Sequence, residues 1–402
     1  MQNKTLLENY RNEMMAELNA ILSYWTTNTC DNMNGGFIGR INENNIPHAD
    51  APKGSVLNSR ILWAFSAAYL ITKNNEQLHI AGIAYHYISN KFIDKTYGGV
   101  YWSLNAKGEP LDTKKQIYAL AFAIYGCSAY FAASNNEAAK NTAIELYNTI
   151  EQYSYDEQYT GYSDAFARDW KEMEDIRLSA KDANEKKTMN THLHVLEAYA
   201  ALYRIWPDDL LKDKITLLIK NFTEHIIDAN THHLILFFDE QWNAKSATIS
   251  YGHDIEAAWL LQEAAGSIND LPLLDTVKNI TIKITDATAE GLDNDGGLWY
   301  EYESASSHFI KEKHWWVQAE AMVGFFNAWQ LTNDQAYLQK SLQSWQYVKV
   351  FIKDKKYGEW YWGRNENGTI MQRQDKTGMW KCPYHNSRAC MEIISRINQL
   401  IK

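Results

Sequence analysis

Two kinds of apolar stretch alternate along the chain. SVLNSRILWAFSAAYLIT, at 55–72, is apolar on almost every side, whereas EQLHIAGIAYHYISNKFI, at 76–93, carries polar residues along one side. At the helical period the first pattern predicts a helix buried all round, and the second an amphipathic helix with one face in water. The alternation returns in QIYALAFAIYGCSAYFAA followed by the more polar EAAKNTAIELYNTIEQY, and in KHWWVQAEAMVGFFNAWQL followed by DQAYLQKSLQSWQYVKVFI.

Between these helix pairs a second pattern recurs: an aspartate, a turn that usually holds glycine, then an aromatic or β-branched run. The aspartates are Asp31, Asp94, Asp156, Asp228, Asp293 and Asp354, spaced by 63, 62, 72, 65 and 61 residues. The fourth copy is the weakest match, with His232 and His233 where others have glycine. Each copy predicts a short extended segment after a turn, and about fifty residues remain before the next, enough for two helices. Six buried and six amphipathic helices predict an all-α fold, an (α/α)6 barrel with inner and outer rings and short β-hairpins at its loops, as one domain over 1–402. An open solenoid is the structural alternative, but its ends would carry polar capping repeats and the last helix does not read as one.

The chain is 46% apolar and 22% charged with six prolines, so it can bury a large core. Its formal charge of −10 repels polyanions and excludes a nucleic-acid footprint. No run approaches eighteen consecutive apolar residues, and the N-terminus reads as an amphipathic helix rather than a secretion signal, so no membrane partner and a cytoplasmic location are expected. Four cysteines without paired spacing read as reduced thiols. Fifteen Trp, 25 Tyr and 13 Phe exceed what loops need, and sugars stack on such rings.

In a closed barrel every connection into an inner helix reaches the same axial end. Residues 23 to 36 positions after each repeat aspartate include Arg60, Tyr118, His192, His253 with Glu256, Trp316 with Glu320, and His385. Each begins a helix that otherwise reads as buried, where an unpaired ionisable group is costly. In HDIEAAWLL, Glu256 stands at i+3 from His253, so it can orient that imidazole, and Trp259 continues the face. Such a pair also suits zinc, but neither H-E-x-x-H nor a nearby cysteine accompanies it, and no metal is expected. His192 and His194 point about 200° apart on a helix, so only one can face a cavity. Pro383 permits a helix start that puts His385 in the first turn, where the helix dipole disfavours imidazolium and leaves a neutral base. Trp315 and Trp316 diverge by about 100°, so at most one lies flat on a sugar while the other packs. Arg60 in an apolar helix needs an anionic partner, which can be transient.

NEKKTMNTHLHVLEAYAALYR (184–204), SYGHDIEAAWLL (250–261), KHWWVQAEAMVGFFNAW (313–329) and KCPYHNSRA (381–389) give the chain its resemblance to the cellobiose 2-epimerases of the N-acylglucosamine 2-epimerase superfamily. The resemblance covers essentially the whole length. It implies a cofactor-independent isomerase, working on a disaccharide, that inverts C2 of the reducing-end glucose of β-1,4-linked sugars, cellobiose to 4-O-β-glucosyl-mannose and lactose to epilactose; a monomer is expected separately from the resemblance. It also implies the choice of His192 over His194. On that basis His253 and His385 are expected as two bases on opposite faces of C2. Arg60 and His192 would hold the enediolate oxygen, and Glu256 would orient His253. Trp259, Trp316 and Glu320 are expected on the sugar, with Tyr118, Asn190, Trp315 and Trp380 as further contacts. The rival readings are an aldose–ketose isomerase acting on mannose, an N-acylglucosamine 2-epimerase, a glycoside hydrolase using Glu256, Glu320 or Asp254, and a sugar-binding protein without catalysis.

Overall fold

The computed structural model describes residues 2–401 and contains twelve α-helices among them. The inner ring is α2 (Ser55–Thr72), α4 (Ile117–Ser134), α6 (Met189–Ile205), α8 (Tyr251–Ser267), α10 (Trp315–Thr332) and α12 (His385–Leu400). The outer ring is α1 (Gln2–Asn28), α3 (Asn75–Tyr87), α5 (Glu137–Tyr153), α7 (Asp209–Asn221), α9 (Leu271–Thr288) and α11 (Gln335–Tyr347). Neighbouring inner helices pack in chain order and α12 closes onto α2. The ring is therefore a closed barrel and not a solenoid. Each later outer helix packs on the inner helix before it, while α1 packs on α12, so the two ends of the chain complete the last pair.

Helix α4 is long and apolar enough to cross a membrane by composition, which the search for an unbroken apolar run missed. Its apolar surface is buried between α2 and α6, which accounts for the composition without a bilayer.

At one end of the barrel, inner helices turn into outer ones through very short links. Lys73, Asn135 and Asn333 end α2, α4 and α10 in the left-handed conformation. The next residue, Asn74, Asn136 or Asp334, then caps the following helix with its side chain.

The other end explains the aspartate period. Each repeat aspartate closes a tight turn through its own N–H, and in five of the six repeats its carboxylate also accepts the N–H groups two and three residues on, as Asp94 does from Thr96 and Tyr97. In five repeats a lysine then ties that carboxylate down, two residues before the inner helix in four of them and nine before α12 in the sixth. Lys53–Asp31 is 2.6 Å, Lys115–Asp94 2.9 Å, Lys187–Asp156 2.7 Å and Lys313–Asp293 2.9 Å, and Lys376 pairs with Asp354. Burial makes these pairs obligatory: Lys115 and Asp94 have no exposed side-chain surface. Removing one partner leaves the other charge stranded. Lys376→Met is expected to lower stability by about 3–5 kcal/mol, read as an earlier midpoint in denaturant unfolding. An unchanged midpoint contradicts the lock.

The strands do more than form local hairpins. Hairpins do occur at 103–112 and 301–310. In addition, the strand leading into each of the first five inner helices pairs with the next repeat: 53–54 with 103–104, 115–116 with 165–166, 187–188 with 237–238, 248–250 with 301–303, and 313–314 with 363–364. A bridge from Ile41 to Thr377 joins the sixth repeat to the first. This ring of ladders fixes the starts of the inner helices relative to one another, and those starts carry the site.

Candidate active site

All inner helices begin at the ladder end, and five of the six start without a side-chain cap, so the positive ends of their dipoles gather there without a local side-chain acceptor. A cleft opens there in two lobes. The first, about 310 Å³, is walled by Arg60, Tyr118, Asn190, His253, Glu256, Trp315, Trp316, Trp380 and His385, all expected from the sequence. The second, about 550 Å³, shares Leu178, Ser179, Lys181, Asp182, Asn190, His253 and Tyr300 with the first and runs on to Phe237, Glu301 and Glu312. Leu178, Ser179, Lys181 and Asp182 thus wall both lobes. They belong to the extra length that makes the third aspartate spacing 72 residues, and Gln116 Nε2 holds the segment by donating to the Arg177 carbonyl at 2.9 Å.

Three histidines present the same face to this cleft. His253 Nδ1 is bonded to Ser250 Oγ at 2.8 Å, His385 Nδ1 to Glu320 at 2.7 Å and His194 Nδ1 to Glu197 at 3.0 Å. In each, Nε2 is left without a protein partner among the described residues. His253 and His385 both pack against the Trp316 ring, with centroids 4.8 and 5.6 Å from it. Gly252 makes this approach possible, because a β-carbon there would meet the Trp316 ring at 2.5 Å. Burial pushes His253 down to about 4 and His385 well below its ordinary value, so both rings rest neutral near pH 7.

Arg60 is buried with no carboxylate partner among the described residues. Its Nη2 donates to the Tyr118 hydroxyl at 2.7 Å and its Nη1 to Cys382 Sγ at 3.8 Å, and its guanidinium lies 4.1 and 4.6 Å from the ring centroids of Phe122 and Tyr384. A buried cation held by aromatic faces and a hydroxyl is an open anion site.

Several expectations are corrected. His192 does not reach the cleft: its Nδ1 is engaged by the Thr188 carbonyl at 2.7 Å and its Nε2 accepts the Tyr162 N–H at 2.9 Å. Gly161, in the left-handed region at φ +79°, clears room for that ring in the third repeat's turn, where a β-carbon would lie 2.7 Å from Nε2. His194 is the cavity histidine of the pair. Trp259 is buried behind the wall and donates its indole N–H to Glu320 at 3.0 Å, so it cannot stack on a sugar. Glu320 holds His385 instead of a hydroxyl group of the ligand. Glu256 does not orient His253, because its carboxylate is taken by Arg388, and Ser250 does the orienting.

Arg388 is the main omission of the sequence reading. From α12 its guanidinium reaches Glu197 of α6, Glu256 of α8 and Glu320 of α10, and stands over Tyr384. Burial opposes charge on Glu197, but Arg388 and His194 overcome it and hold the carboxyl down at about 2. Glu256, Glu320 and His385 bring ligand-type atoms within 4.8 Å of one another, a spacing that suits a metal, but the cation between the two carboxylates is Arg388. His314 was also missed. It stacks on Tyr300 at 3.9 Å in the cleft wall, with Nε2 bonded to Glu312 at 2.9 Å. Spacing on one helix offered a signal for Arg388, which is i+3 from His385, and for its partner Glu197, which is i+3 from His194.

A closed six-pair helical barrel with neutral imidazoles, an unpaired arginine and tryptophans around one cleft defines an isomerase of the sugar-epimerase class. The chain belongs to the N-acylglucosamine 2-epimerase (GlcNAc 2-epimerase) family, whose model matches residues 36–389. It is 48% identical to the cellobiose 2-epimerase of Bacteroides fragilis over 387 residues, 96% of this chain and 98% of that one. Among solved structures it resembles the cellobiose 2-epimerase of Bacillus thermoamylovorans B4167, with TM-score 0.92 and 38% identity over 98% of this chain and 99% of that chain. It also resembles that of Spirochaeta thermophila DSM 6192, with TM-score 0.93 and 37% identity over 99% of each.

Proposed function

We propose that this enzyme epimerises C2 of the reducing-end glucose in β-1,4-linked disaccharides such as cellobiose and lactose, by proton transfer between two histidines. The observation that carries the reading is the pair His253 and His385, each with Nδ1 engaged and Nε2 free, both against Trp316 and in the same cleft as the unpaired Arg60. Inverting C2 requires the open-chain aldehyde, removal of the C2 proton from one face and its return to the other. One imidazole takes the proton from C2 and the other delivers one, and the roles exchange in the reverse direction. Negative charge then moves onto O1 and O2 as the enediolate forms. Arg60 and Tyr118, with the inner-helix N-termini, stabilise it where it develops. His194, rather than His192, faces this region.

His385 suits the delivering role. Burial raises the Glu320 carboxyl, though Arg388 opposes it, so a proton lost from His385 Nε2 can be balanced through the Nδ1–Glu320 bond. Because the steps move only protons, the reading needs no cofactor. The reducing-end ring fits the first lobe against Trp316, and the second ring fits the adjoining lobe. That two-lobed shape favours a disaccharide over mannose or N-acetylglucosamine. A soluble monomer in the cytoplasm fits this role.

The test is product analysis by proton NMR with cellobiose, lactose, mannose and N-acetylglucosamine in parallel. The reading expects 4-O-β-glucosyl-mannose and epilactose as the main products. Fructose from mannose as the fastest reaction would make the enzyme an aldose–ketose isomerase, and released glucose would make it a hydrolase.

The pH profile follows from burial. His253 must be neutral to act as a base, and its depressed pKa keeps it so until the pH falls toward about 4. The kcat/KM for cellobiose should therefore stay level from pH 7 to about pH 5 and decline below that, in protein whose fold is monitored by circular dichroism. An acid limb centred at the ordinary imidazole value of about 6.5 contradicts this environment.

A further inference from the structure

One position of the repeat turns separates the fourth and sixth repeats from the other four. The residue whose carbonyl accepts the repeat aspartate's N–H is Gly36, Gly99, Gly161 and Gly297 in four repeats, but His233 in the fourth and Glu359 in the sixth. These are the two repeats that carry His253 and His385. Each substituted residue is buried and reaches across to the first turn of its inner helix. His233 Nδ1 donates to Asp254 Oδ2 at 2.7 Å, and Asp254 Oδ1 accepts the Leu234 N–H at 2.8 Å. Glu359 Oε1 accepts from Asn386 Nδ2 at 2.7 Å and from Lys381 Nζ at 2.7 Å, while Oε2 accepts the Trp25 indole N–H at 2.8 Å. Asp254 follows His253 directly, and Asn386 follows His385 directly.

The fourth repeat also lacks the lysine lock, since Ile249 stands where the other strands carry lysine. Its turn is tied to α8 through His233 and Asp254 instead. Glu359 holds its place at φ +62°, a conformation glycine tolerates freely and glutamate does not, so a cost is met there that the four glycine repeats avoid.

We infer that His233 and Glu359 are matched positioning residues, each fixing the helix turn that carries one of the two proton-transferring histidines. The inference rests on the two-histidine reading above. Both residues act through the backbone of the next helix turn and touch no substrate. Their function is to hold each imidazole at the distance proton transfer demands, where a displacement on the order of 1 Å costs up to about 100-fold.

The experiment follows exchange and epimerisation together, with each epimer incubated separately in D2O and C2 read by NMR. With His253 displaced, His385 still removes and returns the C2 proton of the epimer that presents it to that side. His233→Leu is therefore expected to slow epimerisation about 10- to 100-fold with KM little changed, while that one epimer gains deuterium without inverting. Glu359→Leu should give the same partition in the opposite epimer. His233→Asn and Glu359→Gln, which keep the donor to Asp254 and the acceptor for Asn386, should restore most of the rate. If a leucine variant does not fold, Asp254→Ala and Asn386→Ala cut the same bonds from the helix side and are read in the same way.

Equal loss of exchange from both epimers, or a partition identical to the parent enzyme, overturns the inference while the parent's own exchange leaves the two-histidine reading standing. Absence of C2 exchange in the parent overturns that reading, and the inference with it.

Discussion

His385→Asn is expected to lower epimerisation by about 10³-fold or more, with the thermal transition of the protein within a few degrees of the parent. The C2 proton of an aldose is a very weak acid, and the site holds few groups that can take it. Glu256 and Glu320 are committed to Arg388, and His194, the third imidazole in the cleft, packs on Tyr118 and Phe122 rather than on Trp316 with the other two. Asparagine keeps a donor near Glu320 but has no titratable nitrogen to face C2. His253→Asn should cost about as much, because inversion needs both faces served. The two variants differ in what survives: each should still exchange C2 hydrogen of one epimer with solvent, and the two epimers should be opposite. Near-parent turnover in either variant, measured on cellobiose with confirmed folding, removes that histidine from the mechanism.

Arg388→Met is expected to have the largest effect on the protein as a whole. One guanidinium serves three buried carboxylates from three different inner helices, so its loss leaves Glu197, Glu256 and Glu320 facing one another without their shared cation. Breaking a buried pair from one side costs about 3–5 kcal/mol, and here three partners are stranded. The carboxyls would take up protons to relieve the repulsion, so the variant should recover stability as the pH is lowered, through the range where those carboxyls protonate. The parent should not. Activity should fall with stability, since Glu320 holds His385 and Glu197 holds His194. A variant with parent-like unfolding midpoint at neutral pH contradicts the view of Arg388 as the electrostatic centre of the barrel.

The fold was legible in the sequence because its signal repeats. Six aspartates at near-constant spacing and alternating helix types predicted both rings, and the capped aspartate turns with their lysine locks supply the physical reason for that period. The cluster at the helix starts was legible for the same reason, since closure sends every such position to one end. What failed was helix phase. His192 and His194 lie on α6, where Thr191, His192, Leu193, His194 and Val195 are all buried, so no polar face shows which side meets the axis. Pairing within one helix misled in the same way. The i, i+3 relation of His253 and Glu256 was available, but Arg388, arriving from α12, took the carboxylate. Trp259 was given to the sugar because its face pointed inward, yet its N–H satisfies Glu320 behind the wall. Partners drawn from other helices decide these roles, and a single chain read along its length does not show them.

Whether hydrogen at C2 passes through solvent-exchangeable bases is the question on which the account stands. Incubating the enzyme with cellobiose in D2O and following C2 by proton NMR answers it. The account predicts deuterium at C2 of the product from the first turnovers, and of recovered substrate as equilibrium is approached. Product formed with its original C2 hydrogen retained would mean that the hydrogen never visits His253 or His385, and would contradict the mechanism outright.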